Sequence, residues 1–370
     1  MLAPLFDRLR AFRDRVAADP AVQRRALKNP VLRVFARRRA RAMLDLTAGF
    51  VYSQVLFACV KLRLFEQLRT RPQTTEEIAA ALALAPDAAR RLLEAAVSLD
   101  LADRRSGGRY GLGDLGAALL GNPAALALVE HQPMLYADLA DPVGLLRGDR
   151  RASLADWWPY SDTADPCALA DDDVGPYSAL MAASQPMVAE EALGAYPFAR
   201  HRRLLDIGGG EGAFLCAAGQ KIPALELSLF DLPAVVERAR TRIGAAGLAG
   251  RTQFSGGNFL SDALPGGADV ATLIRIVHDH DDASALALLR NVRRALAPGA
   301  TLVIVEAMSG VAGARPLDAY YGFYTLAMGR GQPRTAADIS ALLLQAGFSS
   351  GKLWPNALPS LASILSAEAV

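Results

Sequence analysis

The chain reads as α/β: a C-terminal doubly wound, Rossmann-like sheet behind an N-terminal all-helical region with a winged-helix plan. Three observations predict this. Apolar runs that end in acids alternate with helical patterns from Arg203 onward. A glycine-rich turn, Gly208-Gly-Gly-Glu-Gly212, closes the first of those runs. Before residue 170 the pattern is helical, broken by a hairpin-like turn at Gly107-Gly108.

Residues 1–41 are read as a basic amphipathic arm. They hold twelve Lys/Arg against three Asp, so with a net charge of +2 for the whole chain the remainder is net negative. Leu2, Leu5, Phe6, Leu9, Phe12 and Val16 recur at helical spacing between Arg8, Arg10, Arg13 and Arg15. Such a helix suits an anionic lipid surface, and equally a solvated arm that packs on the protein or on a partner subunit. Residues 42–170 form the helical, winged-helix-like domain: a long helix over Leu46–Leu68, a capped helix after Thr74-Thr-Glu-Glu77, a helix over Ala88–Leu99, then a two-stranded wing. Its second helix offers only Arg90 and Arg91 for nucleic acid, so a dimer interface is the better reading and no nucleic-acid partner is expected.

Residues 171–370 hold the sheet. Strands are predicted over Arg203–Ile207, Leu225–Phe230, Thr252–Ser255, Val270–Ile276 and Thr301–Glu306, with weaker ones near Phe348–Trp354 and Ser360–Leu365. Helices fall near 212–220, 233–246, 283–296 and 335–346. In such a sheet ligands sit beyond the carboxyl ends of the strands, where this chain places Asp206, Asp231, Asn258-Phe259, His278-Asp279 and Glu306.

Composition bounds the rest. With 52% apolar and 21% charged residues the protein is expected to be soluble and globular. Cys59, Cys167 and Cys216 form no C-x-x-C pair, so neither a disulfide framework nor a zinc site is implied and the reducing cytoplasm is expected. No uninterrupted run of 18 apolar residues and no signal-peptide core occur, so neither a membrane span nor export is expected.

The glycine turn is a nucleoside grip. Gly208, Gly210 and Gly212 permit positive φ and close approach of a ligand, and Asp231 stands where an acid would hold ribose hydroxyls. The pattern also satisfies a dinucleotide fingerprint, so a nicotinamide dehydrogenase competes. Asp206 and Glu211 tilt the choice: they repel a pyrophosphate and welcome a cationic sulfonium, which favours S-adenosylmethionine. His278 would then take a hydroxyl proton as the oxygen attacks, and Glu306 would hold the imidazole's other nitrogen. A metal at His278, Asp279 and His280 is disfavoured because strand alternation would splay the first two apart. His131 and His201 read as surface residues without partners.

Together, Asp206-Ile-Gly-Gly-Gly-Glu-Gly212, Phe230-Asp231-Leu232-Pro233, Gly257-Asn-Phe259, Arg275-x-x-His278-Asp279-x-x-Asp282 and Pro298-Gly299 resemble the metal-independent class I S-adenosylmethionine O-methyltransferases of small molecules, over roughly residues 40–370. Val277-His-Asp-His280, Val305-Glu-Ala-Met-Ser-Gly310 and Asp318–Gly329 are similar to bacterial methylases of the tertiary 1-hydroxyl of acyclic carotenoids. The resemblance implies a homodimer and a cofactor site of Ser184, Asp206, Gly208, Gly210, Asp231, Leu232, Asn258, Phe259 and Arg275. Within it, Gly208 and its neighbours hold the methionine end, Asp231 the ribose, and Asn258 with Phe259 the adenine. It implies His278 and Glu306 as the catalytic pair and Met181, Tyr320, Tyr324 and Met328 at a carotenoid site, although an aromatic and methionine stripe alone is more often core. Three positions depart from the family: Asn258 for Asp, His280 for Trp, and Pro333 for a second supporting Glu. Competing readings are methylation of an aromatic polyketide or other lipophilic hydroxyl, and a non-catalytic cofactor-binding regulator.

Overall fold

The computed structural model describes residues 3–158, 163 and 165–370, and its chain divides into two compact units, Met1–Leu120 and Gly121–Val370. The division falls some fifty residues before the boundary expected at 170, because the helices of residues 123–157 pack within the second unit.

The first unit opens with α1 (Ala3–Ala18), α2 (Pro20–Lys28) and α3 (Leu32–Lys61). Asp19 caps α2 by accepting from Ala21 N at 2.7 Å, with Pro20 at the first helical position. The expected helix over Leu46–Leu68 is two helices. Arg63, at φ 57°, breaks the chain before α4 (Leu64–Thr70), and α3 reaches back to Leu32, across the boundary placed at 41. By length and composition α3 is apolar enough to cross a membrane; an uninterrupted-run count misses this because polar residues such as Thr47, Ser53 and Gln54 punctuate it.

Then come α5 (Thr75–Ala81), α6 (Pro86–Ser98), the antiparallel hairpin β1 (Ala102–Arg105) and β2 (Arg109–Leu112), and α7 (Asp114–Leu120). Thr74 and Glu77 form the expected capping box, Thr74 Oγ1 accepting from Glu77 N at 3.3 Å and Glu77 Oε2 from Thr74 N at 2.8 Å. Leu64, Phe65, Ile78 and Leu93 are buried and form the core of this unit. Arg90 is paired with Asp87 and Arg104 with Glu94.

The second unit begins with α8 (Pro123–Asp138), α9 (Pro142–Arg147), α10 (Ser153–Trp157) and α11 (Asp171–Ala195). The sheet domain follows: β3 (Arg203–Ile207), α12 (Ala213–Lys221), β4 (Glu226–Asp231), α13 (Pro233–Ala245), β5 (Thr252–Gly256), β6 (Val270–Ile274), α14 (Asp282–Ala295), β7 (Thr301–Glu306), α15 (Arg315–Ala327), α16 (Ala336–Ala346), β8 (Lys352–Trp354) and β9 (Ser363–Glu368). Strand order is β5-β4-β3-β6-β7-β9-β8, parallel from β5 to β7, with β9 antiparallel to both its neighbours.

These strands are apolar on both sides because helices cover both faces. Leu205, Ile207, Leu273 and Ile304 pack with α14 and α16, while Leu204, Leu227, Leu229 and Val303 pack with α11, α12 and α13. After β5 the chain crosses to the far side of β3, so the strand order reverses at β3/β6 and opens a crevice above their carboxyl ends. β6 stops at Ile274, two residues earlier than expected, because Arg275 takes a left-handed φ of 57°. His278 therefore sits on a 3-10 turn, Val277–Asp279, instead of a strand end.

Candidate active site

The turn between β3 and α12 shapes the crevice. Gly208 has φ +67°, and a Cβ there would stand 2.5 Å from Ile276 Cδ1; Gly210 has φ +57° and faces open space. Gly208 N donates to Phe230 O at 2.8 Å. Asp231, at the end of β4, accepts from Gly210 N at 2.8 Å and from Leu232 N at 2.7 Å, tying the two strand ends together. Nothing caps α12 from a side chain, so its first N–H groups remain open to a ligand.

A cavity of about 260 Å³ lies over this turn. Asp206, Gly208, Gly210, Asp231, Leu232, Asn258, Phe259, Arg275 and Met181 all line it, so the structure gathers most of the expected cofactor residues. Burial pushes Asp206 up to about 7 and Asp231 up to about 6, the latter against two backbone donors. Thr272 Oγ1 donates to Asp206 at 2.7 Å. Asn258 spends its side-chain oxygen on Leu260 N at 2.9 Å. Phe259 meets His280 edge to face at 5.5 Å; burial and the neighbouring His278 push His280 down to about 4, so it is a neutral ring at pH 7.

Four expectations are corrected here. Ser184 does not line the cavity: it accepts from Arg275 Nη1 at 2.6 Å and so orients a cavity residue from behind. Arg275 is further held by Met181 O at 2.8 Å and Gln185 Oε1 at 2.6 Å, while its buried Nε has no partner among the described residues. Glu211 offers no free charge, because Arg238 and Arg242 pair with it at 2.9 and 2.6 Å. Tyr320, Tyr324 and Met328 stand outside the cavity. Tyr324 OH meets His131 Nε2 at 3.0 Å, Tyr320 OH accepts from Gln132 at 2.9 Å, and Met328 is packed in an apolar cluster with Leu135 and Trp158. His131 and His201 are consequently not bare surface residues: His131 is buried with Tyr324 and lies 4.4 Å from the Trp157 ring, and His201 meets Tyr196 OH at 2.9 Å.

The two residues expected to form a catalytic pair, His278 and Glu306, are brought together. His278 Nδ1 stands 3.3 Å from Glu306 Oε2, and Glu306 is fully buried at the end of β7. His278 Nε2 stands 3.2 Å from Asp279 Oδ1, so the turn joins the two side chains that strand alternation was expected to separate. Burial lowers His278, but Asp279 and Glu306 outweigh it and leave the imidazole above its ordinary value. Arg334 pins the turn, Nη1 donating to Val277 O and Nη2 to His280 O, each at 2.8 Å. Gln332 N also donates to His278 O at 2.9 Å, and Pro333 brings no acid to the imidazole. Among the described residues no group of three or more His, Cys, Asp or Glu is placed to hold a metal.

Sequence reasoning missed Gln185, Arg334 and Tyr177 around the site, and nothing in their local sequence signals it; it placed Asp279 there with His278, without a role of its own.

Two acids held above their ordinary range and a guanidinium N–H without a partner fit one ligand that carries a cationic centre, a ribose and a carboxylate. S-adenosylmethionine has that chemistry. The comparisons agree: residues 136–349 match the O-methyltransferase domain family and residues 44–122 the O-methyltransferase dimerisation domain. The chain is 45% identical to demethylspheroidene O-methyltransferase of Cereibacter sphaeroides over 95% of its length and 93% of that protein's. It is 39% identical to the enzyme of the same name from Rhodobacter capsulatus, over 92% and 84%. Among solved structures, a methyltransferase of calicheamicin biosynthesis in its S-adenosylhomocysteine-bound form superposes with TM-score 0.73 at 27% identity, covering 90% of this chain and 98% of that one. The fold, the cavity and the match along nearly the whole chain place this protein in the S-adenosylmethionine-dependent O-methyltransferase family.

Proposed function

We propose that this enzyme methylates the tertiary 1-hydroxyl of an acyclic carotenoid, with His278 as the general base that takes the hydroxyl proton. The observation that carries the acceptor is the 45% identity, sustained over 95% of the chain, to a demethylspheroidene O-methyltransferase. S-adenosylmethionine, when bound, supplies an electrophilic methyl carbon. The chain's own residues do the rest. Asp231 and Asp206 hold the cationic and ribose portions, Arg275 carries the positive charge on the cavity wall, and Glu306 fixes the imidazole. An alkanol is far too weak an acid for imidazole to ionise outright, so the proton leaves late, as the carbon–oxygen bond forms.

The dimerisation domain supports a homodimer. Peripheral membrane contact through residues 1–41 belongs to the same reading, since its acceptor dissolves in lipid. Leu5, Phe6, Leu9, Phe12 and Val16 of α1 are all exposed beside the arginines of the arm, a surface suited to the anionic cytoplasmic face of a membrane.

Purified protein incubated with labelled S-adenosylmethionine and a 1-hydroxy acyclic carotenoid should yield the methyl ether, and His278→Ala should lose at least about a hundredfold in kcat. No product from the wild type would overturn the acceptor. Deleting residues 1–41 should abolish co-sedimentation with anionic liposomes; retained binding would overturn the role given to the arm.

A further inference from the structure

Two arginines of the sheet domain hold α11 at either end of the stretch that walls the cavity. Tyr177, Ser178, Met181 and Gln185 of this helix line it. At the far end Arg275 donates to Ser184 Oγ and to Gln185 Oε1, each at 2.6 Å, and to Met181 O at 2.8 Å. At the near end Arg238 of α13 donates through Nη1 to Asp171 Oδ1, in the first turn of α11, at 2.9 Å. The same guanidinium meets Glu211 Oε1 twice, from Nε at 3.0 Å and from Nη2 at 2.9 Å. Glu211 belongs to the glycine turn and also lines the cavity. Arg238 therefore joins the helix to the turn, two walls of one cavity.

We propose that Arg238 is a positioning residue for the cofactor: it clasps the start of α11 to the glycine turn, and S-adenosylmethionine leaves when the Asp171–Arg238 pair opens. The inference rests on the reading of this cavity as the cofactor site and adds the side on which the site opens. The two ends of the stretch, about 20 Å of helix apart, are not equally fastened. The Asp171 side chain is 64% exposed, whereas that of Glu211 is 9% exposed. Water and salt reach the first pair and are kept from the second, and an exposed pair of this kind contributes little and breaks readily. Arg275, with three acceptors on α11, holds the far end as the fixed one.

The local sequence builds the clasp. Arg238 and Arg242 stand four positions apart on α13, so both reach Glu211, while Val235, Val236 and Ala239 of the same helix are buried. Arg242 Nη2 stays on Glu211 Oε2 at 2.6 Å, so opening the Asp171 pair leaves no bare carboxylate in the turn. Gly175 lies one turn after Asp171, inside a helix where glycine is a poor choice. Close approach explains it: a Cβ there would stand 3.4 Å from Arg238 Nη1, so the guanidinium lies directly against the helix backbone. Asp173, in the same first turn, accepts from Ala170 N at 3.0 Å and caps α11, which leaves the contact with the sheet domain to Asp171.

The test uses the full chain as Asp171→Asn, Arg238→Ala, Arg238→Lys and the double variant Asp171→Asn with Arg238→Ala, and it has two readouts. Labelled S-adenosylmethionine bound to each protein is chased with excess unlabelled S-adenosylhomocysteine at about 0.05 and about 0.5 M NaCl, which reads the dissociation rate and needs no acceptor. Amide hydrogen exchange over residues 174–181 is followed in the ligand-free protein. Asp171→Asn, at an exposed position that folding does not depend on, should speed release about two- to fivefold at low salt and remove the acceleration by salt that the wild type shows. Arg238→Ala should speed it further, Arg238→Lys should recover part of the loss, and the double variant should release no faster than Arg238→Ala, because Asp171 acts only through Arg238. Exchange over 174–181 should quicken in the same order. A release rate in Asp171→Asn equal to that of the wild type, or a double variant in which the two effects multiply, overturns the clasp. If the wild type binds no S-adenosylmethionine, the reading of the cavity fails, and unchanged exchange in Asp171→Asn still overturns the clasp by itself.

Discussion

In the cofactor-free protein the stability of Asp206→Asn relative to wild type should climb from pH 5 to pH 7, starting from a deficit. Asp206, the penultimate residue of β3, is 1% exposed and has its pKa pushed from 3.8 to about 7 by burial. In the unfolded chain it ionises near 3.8, so between the two values the folded state holds the proton and the unfolded state does not. Stability then falls as pH rises through that window and levels off above about 7, at about 1.4 kcal/mol per unit. From pH 5 to pH 7 the wild type loses about 2–3 kcal/mol through this group, and asparagine loses nothing. The amide costs about 1–3 kcal/mol at every pH, because its NH₂ lacks an acceptor beside Thr272. The variant-minus-wild-type difference should therefore climb by about 2–3 kcal/mol, roughly 5–10 °C in Tm for a unit of this size, and stay level to pH 8. Scanning calorimetry of both proteins at pH 5, 6, 7 and 8 reads it. Titration calorimetry with S-adenosylmethionine near pH 6.5, in buffers of different ionisation enthalpy, should show proton release on binding that shrinks in the variant, since a cationic ligand favours the ionised acid. A stability difference that is flat or falling from pH 5 to 7 would refute the buried-carboxylate reasoning.

Gly208→Ala places a methyl 2.5 Å from Ile276 Cδ1 at φ +67°, a combination costing about 2–4 kcal/mol, so Tm should drop and S-adenosylmethionine Kd should rise at least about tenfold by calorimetry; an unchanged Kd counts against the turn as the ligand cradle. Arg334→Ala removes the donors to Val277 O and His280 O from a side chain that is 3% exposed and off the cavity wall. It should lower kcat by more than about tenfold while leaving cofactor Kd within about threefold, and a Kd that moves as much as kcat would contradict a role confined to the His278 turn.

What could be read in the sequence followed from local periodicity. The strand–helix alternation, the glycine turn and the capping box at Thr74 and Glu77 are set by neighbours a few residues apart, and all appear where expected. The family resemblance, confirmed along 95% of the chain, likewise rests on short motifs. What could not be read depends on distant partners. Nothing near Tyr324 announces that His131, 193 positions earlier, takes its hydroxyl, and nothing near Arg275 announces that α11 occupies its guanidinium. Arg63 and Arg275, both non-glycine residues with φ near 57°, ended a helix and a strand where residue type gave no warning. The second of these moved His278 from a strand end onto a turn and thereby brought Asp279 to its ring.

The preference for a sulfonium over a pyrophosphate holds, on a different pair of acids from the one the sequence suggests. Glu211 is neutralised by Arg238 and Arg242, and that cluster taken alone would welcome phosphate at the α12 N-terminus. Asp231 opposes it. Its carboxylate already occupies Gly210 N, one of the turn donors that an anion would need, and Asp206 stands beneath the same turn with, among the described residues, only the Thr272 hydroxyl donating to it. Both acids are held above their ordinary range because burial is not matched by a positive neighbour, so each gains from a cation and loses from an anion brought into the cavity. An arriving pyrophosphate meets a carboxylate where it requires a donor. A sulfonium with its ribose and amino acid tail meets two acids short of positive charge and an unpartnered Arg275 Nε–H for its own carboxylate.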